Sequence, residues 1–106
     1  MKAITDAEFD KAVLQSDLPV VVDVWAAWCP PCRALSPILN ELSTAYDGQI
    51  TFTKVDADVN TEVTSKYDIL RLPTILIFQK GEVVKRIEGA LPRMQLHKIF
   101  DEVLYT

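Results

Sequence analysis

Cys29 and Cys32, the only cysteines among 106 residues, stand three apart in the stretch WAAWCPPCRAL, with two prolines between them. Two thiols at this spacing admit three kinds of chemistry. They can ligate a metal, but zinc usually takes four ligands. No second cysteine pair exists, and the one histidine, His97, lies far along the chain. They can be inert, either as small buried hydrophobes or as a staple, but a bond closing so short a loop removes little entropy from the unfolded chain. They can also cycle between dithiol and disulfide, which suits a C-x-x-C placed near a strand–helix–strand pattern. The residues favour this third chemistry and leave the other two open.

The local physics supports a reactive thiol. At a helix start, unpaired amides and the positive end of the helix dipole favour a thiolate. The Cys29 thiol is therefore expected below the ordinary thiol range, with Arg33 as a nearby cation. Cys29 is expected at the exposed edge and Cys32 about one turn further in, shielded by the chain. Neither Pro30 nor Pro31 has an amide hydrogen, and the first-turn amides lack intrahelical partners anyway. The amides of Cys32 and Arg33 are the donors left to face the Cys29 sulfur. Pro31 disfavours a helical backbone at Pro30, so regular helix is expected from Pro31, with Pro30 as an extended lead-in.

The elements that must hold this pair follow from hydrophobic periodicity. ITDAEFDKAVLQS reads as a strand end and then a helix, with Thr5 and Glu8 in a capping-box pattern. PVVVDVWA is a β-branched run without alternation, as expected of a strand buried on both faces. Leu35, Ile38, Leu39, Leu42 and Tyr46 recur at helical spacing, with Pro37 as an expected kink and Gly48 as the stop. QITFTKVDAD reads as a strand, and Asn60 as the cap of a short helix. TILIFQKGEVVKRIEG reads as two strands around a turn at Lys80-Gly81. The segment from Pro92 to Tyr105 reads as an amphipathic helix, poorly capped because Leu91 precedes Pro92. The order β-α-β-α-β-α-β-β-α implies parallel strands joined by helices, with an antiparallel edge added late: an α/β three-layer sandwich.

Composition limits the partners. A net charge of −4 gives no basic footprint for nucleic acid and argues against an anionic membrane surface. The longest apolar run is far short of the roughly 20 residues needed for a span, and it carries Asp23. MKAITDAEFD has no apolar signal core, so a cytoplasmic protein is expected. The length suits one domain over residues 1–106.

VVDVWAAWCPPC resembles the VDFWAxWCGPC signature of the thioredoxin family. SPILNEL, KVDAD, LPTILIFQKGEVV and EGALP are similar to successive stretches of the same family, so the likeness covers nearly the whole chain. The resemblance implies a thioredoxin fold, an α/β/α sandwich with a central mixed five-stranded sheet and four helices. It also implies a protein-disulfide reductase that needs no bound cofactor or metal. By position, Cys29 would attack and Cys32 resolve. Asp23 would be the buried carboxylate behind Cys32, with Lys54 near it. Trp28, Pro30, Pro31, Leu72, Pro73 and Gly89 would form the substrate surface, with Pro73 cis and the backbone of Leu72 open to a substrate chain. The implied partners are disulfide-containing proteins and a thioredoxin-reductase-type electron donor, met by a monomer.

The residues themselves support part of this. Asp23 interrupts a run that should be wholly buried, where a carboxylate is costly and its pKa rises. It is either a core acid satisfied by backbone or Lys54, or a proton acceptor for Cys32. Pro73 precedes a strand, where a strand-initiating proline is the plain alternative. Trp25 is expected to be mostly packing, Trp28 partly exposed and His97 a surface residue.

Three departures from the family pattern stand out. Pro30 replaces the usual glycine, as in the longer tryparedoxins and nucleoredoxins. Arg71 stands near the recognition loop, where it would favour acidic partners, and Asp68 takes a common glycine position that Asp tolerates. Two further readings are an interaction or scaffold subunit with incidental redox activity, and a more oxidising thiol–disulfide oxidoreductase.

Overall fold

The computed structural model describes residues 1–105; Thr106, the last residue of the expected domain, lies outside the described residues. Five strands form one mixed sheet: β1 (Lys2–Ala3), β2 (Val20–Trp25), β3 (Thr51–Asp56), β4 (Thr74–Gln79) and β5 (Glu82–Glu88), in the order β1-β3-β2-β4-β5. β1 and β2 run parallel to β3, and β4 runs antiparallel to both β2 and β5. The parallel half and the late antiparallel edge are those expected from the element order.

The helices are α1 (Asp6–Phe9), α2 (Pro30–Ala45), α3 (Thr61–Lys66) and α4 (Arg93–Tyr105). A π-helical segment, Asp10–Leu14, extends α1. Two apolar clusters show the layering. Val21, Ile75 and Ile77 pack with Leu35, Leu39 and Leu42 of α2 and with Leu96 and Phe100 of α4. Val20, Val22 and Val24 pack with Phe9, Val13 and Val63 on the opposite face. Successive residues of β2 thus feed opposite layers, which is why its run shows no polar alternation. Among the described residues, no helix is long and apolar enough to cross a membrane.

Local chemistry fixes the joints. Lys80 and Gly81 both have positive φ, 51° and 81°, as a two-residue turn matched to strand twist requires. A Cβ on Gly81 would also come within 3.1 Å of the Leu14 carbonyl oxygen. α2 runs through Pro37 without a break. α4 starts at Arg93, one residue later than the sequence suggests, because the Pro92 carbonyl accepts from the amides of Gln95 and Leu96.

One expected cap is corrected. The Asn60 side chain does not cap α3. Its Oδ1 accepts from the amide of Asp6 (2.8 Å), and its Nδ2 donates to the carbonyl of Asp56 (2.9 Å). The open amides of α3, those of Glu62 and Val63, donate instead to the Asp6 carboxylate at 3.1 and 3.0 Å. Each short helix takes its cap from the other, a long-range exchange that no local pattern reveals.

Candidate active site

β2 delivers Asp23 and Trp25 toward α2, because they share a face with Val21 and lie opposite Val22 and Val24. Immediately after β2 the chain reaches Cys29, whose extended backbone (φ −97°, ψ 105°) is the N-cap of α2. Pro30 and Pro31 both lie inside the first turn. The helix therefore starts one residue earlier than expected, because the Arg33 amide donates to the Cys29 carbonyl (3.2 Å) and closes the turn over Pro30. Cys29 and Cys32 form a disulfide, with their Cα atoms 5.3 Å apart.

Two details at the helix start differ from the sequence reading. The Cys32 amide faces the Cys29 sulfur at 3.3 Å, but the Arg33 amide is taken by the carbonyl just described. The Arg33 guanidinium donates to the Ala27 carbonyl at 2.9 Å, bracing the loop ahead of the cysteines. Nor are the cysteines distinguished by exposure. Cys29 is 3% and Cys32 2% exposed; they cluster with Ala26, and Trp25 and Leu72 pack against that cluster.

What separates the cysteines is the space behind them. Cys32 lines a cavity of about 340 Å³ together with Asp23, Trp25, Arg33, Ser36, Asn40 and Lys54. Asp23 is 1% exposed, and its Oδ1 has no hydrogen-bond partner among the described residues. Burial pushes its carboxyl up from 3.8 to about 7, and Lys54, opposite it in register on β3, opposes that rise. The Lys54 ammonium itself stands over the Trp25 ring, 5.3 Å from its centroid, where a cation is attracted by the ring face. The Asp23 carboxyl, the Cys32 sulfur and the Lys54 side chain thus border one cavity.

The outer side is built by other segments. Trp28 is 65% exposed. Its indole N–H donates to both carboxylate oxygens of Asp58 at 3.2 and 3.1 Å. The sequence reading passed over Asp58; the available signal was that an indole has one donor and no acceptor of its own. The Leu72–Pro73 peptide bond is cis. The Pro73 carbonyl accepts from the amide of Gly89 at 2.8 Å, which joins these two positions across β4 and β5. Gly89 has φ +89°, a conformation other side chains rarely adopt.

This arrangement can exchange electrons with a second disulfide. Such exchange needs one sulfur of the pair to reach the substrate sulfur and the second to lie within bonding distance of the first, as Cys29 and Cys32 do. Comparison with known proteins gives the same answer. The thioredoxin family model matches residues 1–102. Thioredoxin 1 of Nostoc sp. is 42% identical over 95% of this chain and 94% of its own. Thioredoxin of Alicyclobacillus acidocaldarius subsp. acidocaldarius is 43% identical over 95% of both, and that of Rhodospirillum rubrum is 44% identical over 91% and 92%. With fold, cysteine pair and near full-length similarity in agreement, the chain belongs to the thioredoxin family and is a protein thiol–disulfide oxidoreductase.

Proposed function

We propose that the chain reduces disulfides of other proteins in the cytoplasm, as a monomer and as one domain over residues 1–106. In the reduced form the Cys29 thiolate attacks one sulfur of a substrate disulfide. A mixed disulfide forms, and the other substrate sulfur leaves as a thiolate. Asp23 takes the proton of Cys32, directly or through water, with Lys54 beside it to favour the carboxylate. The Cys32 thiolate then attacks the Cys29 sulfur. The second substrate thiolate leaves, and the Cys29–Cys32 disulfide remains. Two electrons pass to the substrate, and a thioredoxin-reductase-type donor returns them.

Trp28, Pro30, Pro31, Leu72, Pro73 and Gly89 are the proposed substrate surface. Leu72 lies against the cysteine pair, and Trp28, Pro30 and Pro31 are exposed around it. The single observation that carries the reading is Asp23. A buried acid whose range reaches about 7 and whose cavity includes Cys32 can hold or release a proton at neutrality.

The order of attack is tested with single serine variants in a cell extract. Cys32→Ser accumulates mixed disulfides that survive a non-reducing gel and release their partners on reduction, since a serine hydroxyl cannot resolve them. Cys29→Ser accumulates none. Equal trapping by both variants overturns the order. Failure of the parent protein to reduce insulin with dithiothreitol overturns the reductase reading.

A further inference from the structure

The segment from Tyr67 to Pro73 joins α3 to β4 and carries Leu72 to the disulfide. Its first residues form a complete helix-ending motif. The amide of Asp68 donates to the carbonyl of Ser65 (3.3 Å), and that of Ile69 to the carbonyl of Thr64 (2.9 Å), with Asp68 left-handed at φ 50°. That motif uses the carbonyls of Thr64 and Ser65 inside α3, and the carbonyls of Tyr67 and Asp68 lie beyond them. Both are taken by one side chain from the edge strand. Arg86 of β5 donates through Nη1 to the Tyr67 carbonyl at 2.5 Å and through Nη2 to the Asp68 carbonyl at 2.7 Å. Its Nε donates to Glu88 at 3.2 Å. Glu88 lies two residues along the same strand, so both side chains share a face of β5 and the carboxylate orients the guanidinium.

The other end of the segment is held by the residue that directly follows the same strand, through the Gly89 amide on the Pro73 carbonyl. β5 and the residue after it therefore grip the segment at both ends, and the span between carries Leu70, 92% exposed, and Leu72, packed against the cluster of Ala26 and the two cysteines. A planar fork with fixed donor spacing is what two successive carbonyls need; an ammonium is a point charge and cannot reproduce it.

We propose that Arg86 is a positioning residue for recognition of protein disulfides: it fixes the loop that presents Leu72 and Pro73 beside the Cys29–Cys32 pair. The proposal rests on the reading that this loop contacts a protein substrate. It implies that Arg86 matters for a substrate with a chain to dock and not for a small disulfide that needs only the sulfurs.

The test uses Arg86→Ala and Arg86→Lys in the full chain, with insulin and with 5,5′-dithiobis(2-nitrobenzoate) as substrates. It also follows amide hydrogen exchange over residues 69–74. Arg86→Ala is expected to raise the KM for insulin by about 5- to 10-fold, the scale of losing charge-assisted hydrogen bonds. Its kcat for insulin and its rate with the small disulfide stay within about 2-fold of the parent, well below the tenfold that 1.4 kcal/mol represents. Exchange over residues 69–74 accelerates, and Arg86→Lys restores less than half of each effect. Unchanged exchange in Arg86→Ala overturns the bracing role, whatever the activity. Faster exchange with an unchanged KM for insulin, or equal losses on both substrates, overturns the role in recognition. Should the parent fail to reduce insulin at all, the reductase reading falls, and the exchange measurement still decides the brace.

Discussion

At the start of α2, the buried carboxyl of Asp23 has an oxygen with no partner among the described residues. At its end, the buried hydroxyl of Tyr46 has three groups within reach: Asp101 Oδ1 at 2.6 Å, His97 Nδ1 at 2.7 Å and the His97 carbonyl at 3.0 Å. A phenol has one hydrogen and two lone pairs, so it is satisfied by donating to Asp101 and accepting from an Nδ1–H of His97. Edge-on contacts from Tyr46 to Phe100 and His97 complete the packing. Burial first, and then the Asp101 hydrogen bond, push the Tyr46 hydroxyl further up from its ordinary range, so it stays protonated. The same helix thus ends in one polar group held in one state and begins over one poised between two. Both groups are buried; of the two, the unpartnered one faces a cavity with the Cys32 sulfur on its wall. Burial of a polar group by itself signals stability or chemistry equally, and the state of its partners tells them apart.

The comparison is sharpest at Asp23. Its range in the folded, oxidised protein lies above the unfolded value, so folding favours the protonated acid. Its contribution to stability is full below about pH 3.8 and is lost as pH rises through about 7. The whole displacement corresponds to about 4 kcal/mol. Asp23→Asn is therefore expected to unfold at nearly constant denaturant concentration between pH 4 and 9, while the parent weakens over that interval by up to about 4 kcal/mol. At pH 7 the variant is expected to reduce insulin at least about 10-fold more slowly, since an amide cannot accept the Cys32 proton. Parallel stability profiles, or equal turnover at pH 7, would make Asp23 as structural as Tyr46.

Tyr46→Phe probes the other end with a smaller effect. Loss of the hydroxyl is expected to cost about 1 to 2 kcal/mol in urea unfolding, the scale of a hydrogen bond to a charged group. Turnover is expected to stay within about 2-fold of the parent, far less than the tenfold corresponding to 1.4 kcal/mol. A loss of activity comparable to that of Asp23→Asn would break the contrast. His97→Ala is expected to do least. Its side chain is about half exposed at 3.3 Å from Asp101, and exposed ion pairs contribute about 1 kcal/mol or less. A larger destabilisation would mean that the imidazole, rather than the carboxylate, is the main partner of Tyr46.

Much of the fold was legible because its signals are local. The unbroken Val20–Val24 run with one acid, the helical spacing from Leu35 to Tyr46, and Lys80-Gly81 between two strands each dictate one element. The cysteine spacing and the acid in a buried strand likewise marked the candidate site before any geometry. What stayed hidden depends on residues distant in sequence. Tyr46 read as one more apolar position and His97 as surface, although they lie 51 residues apart and 2.7 Å away from each other. Asp58, partner of Trp28, and Arg86, partner of two carbonyls, carry no local pattern. Leu72, which packs against the cluster that holds Cys29, is separated from Cys29 along the chain by two helices and a strand.

The exchange of caps between Asp6 and Asn60 bears on how the protein comes apart. α1 has four residues and α3 six, far below the length at which a lone helix holds in water. Fraying of α1 carries away the carboxylate that covers the amides of Glu62 and Val63, and fraying of α3 withdraws Asn60 from the amide of Asp6. The two helices therefore open together, as one cooperative unit, rather than singly. Because α3 runs directly into the segment that carries Leu72, the proposed substrate surface is underwritten by an aspartate only five residues from Met1.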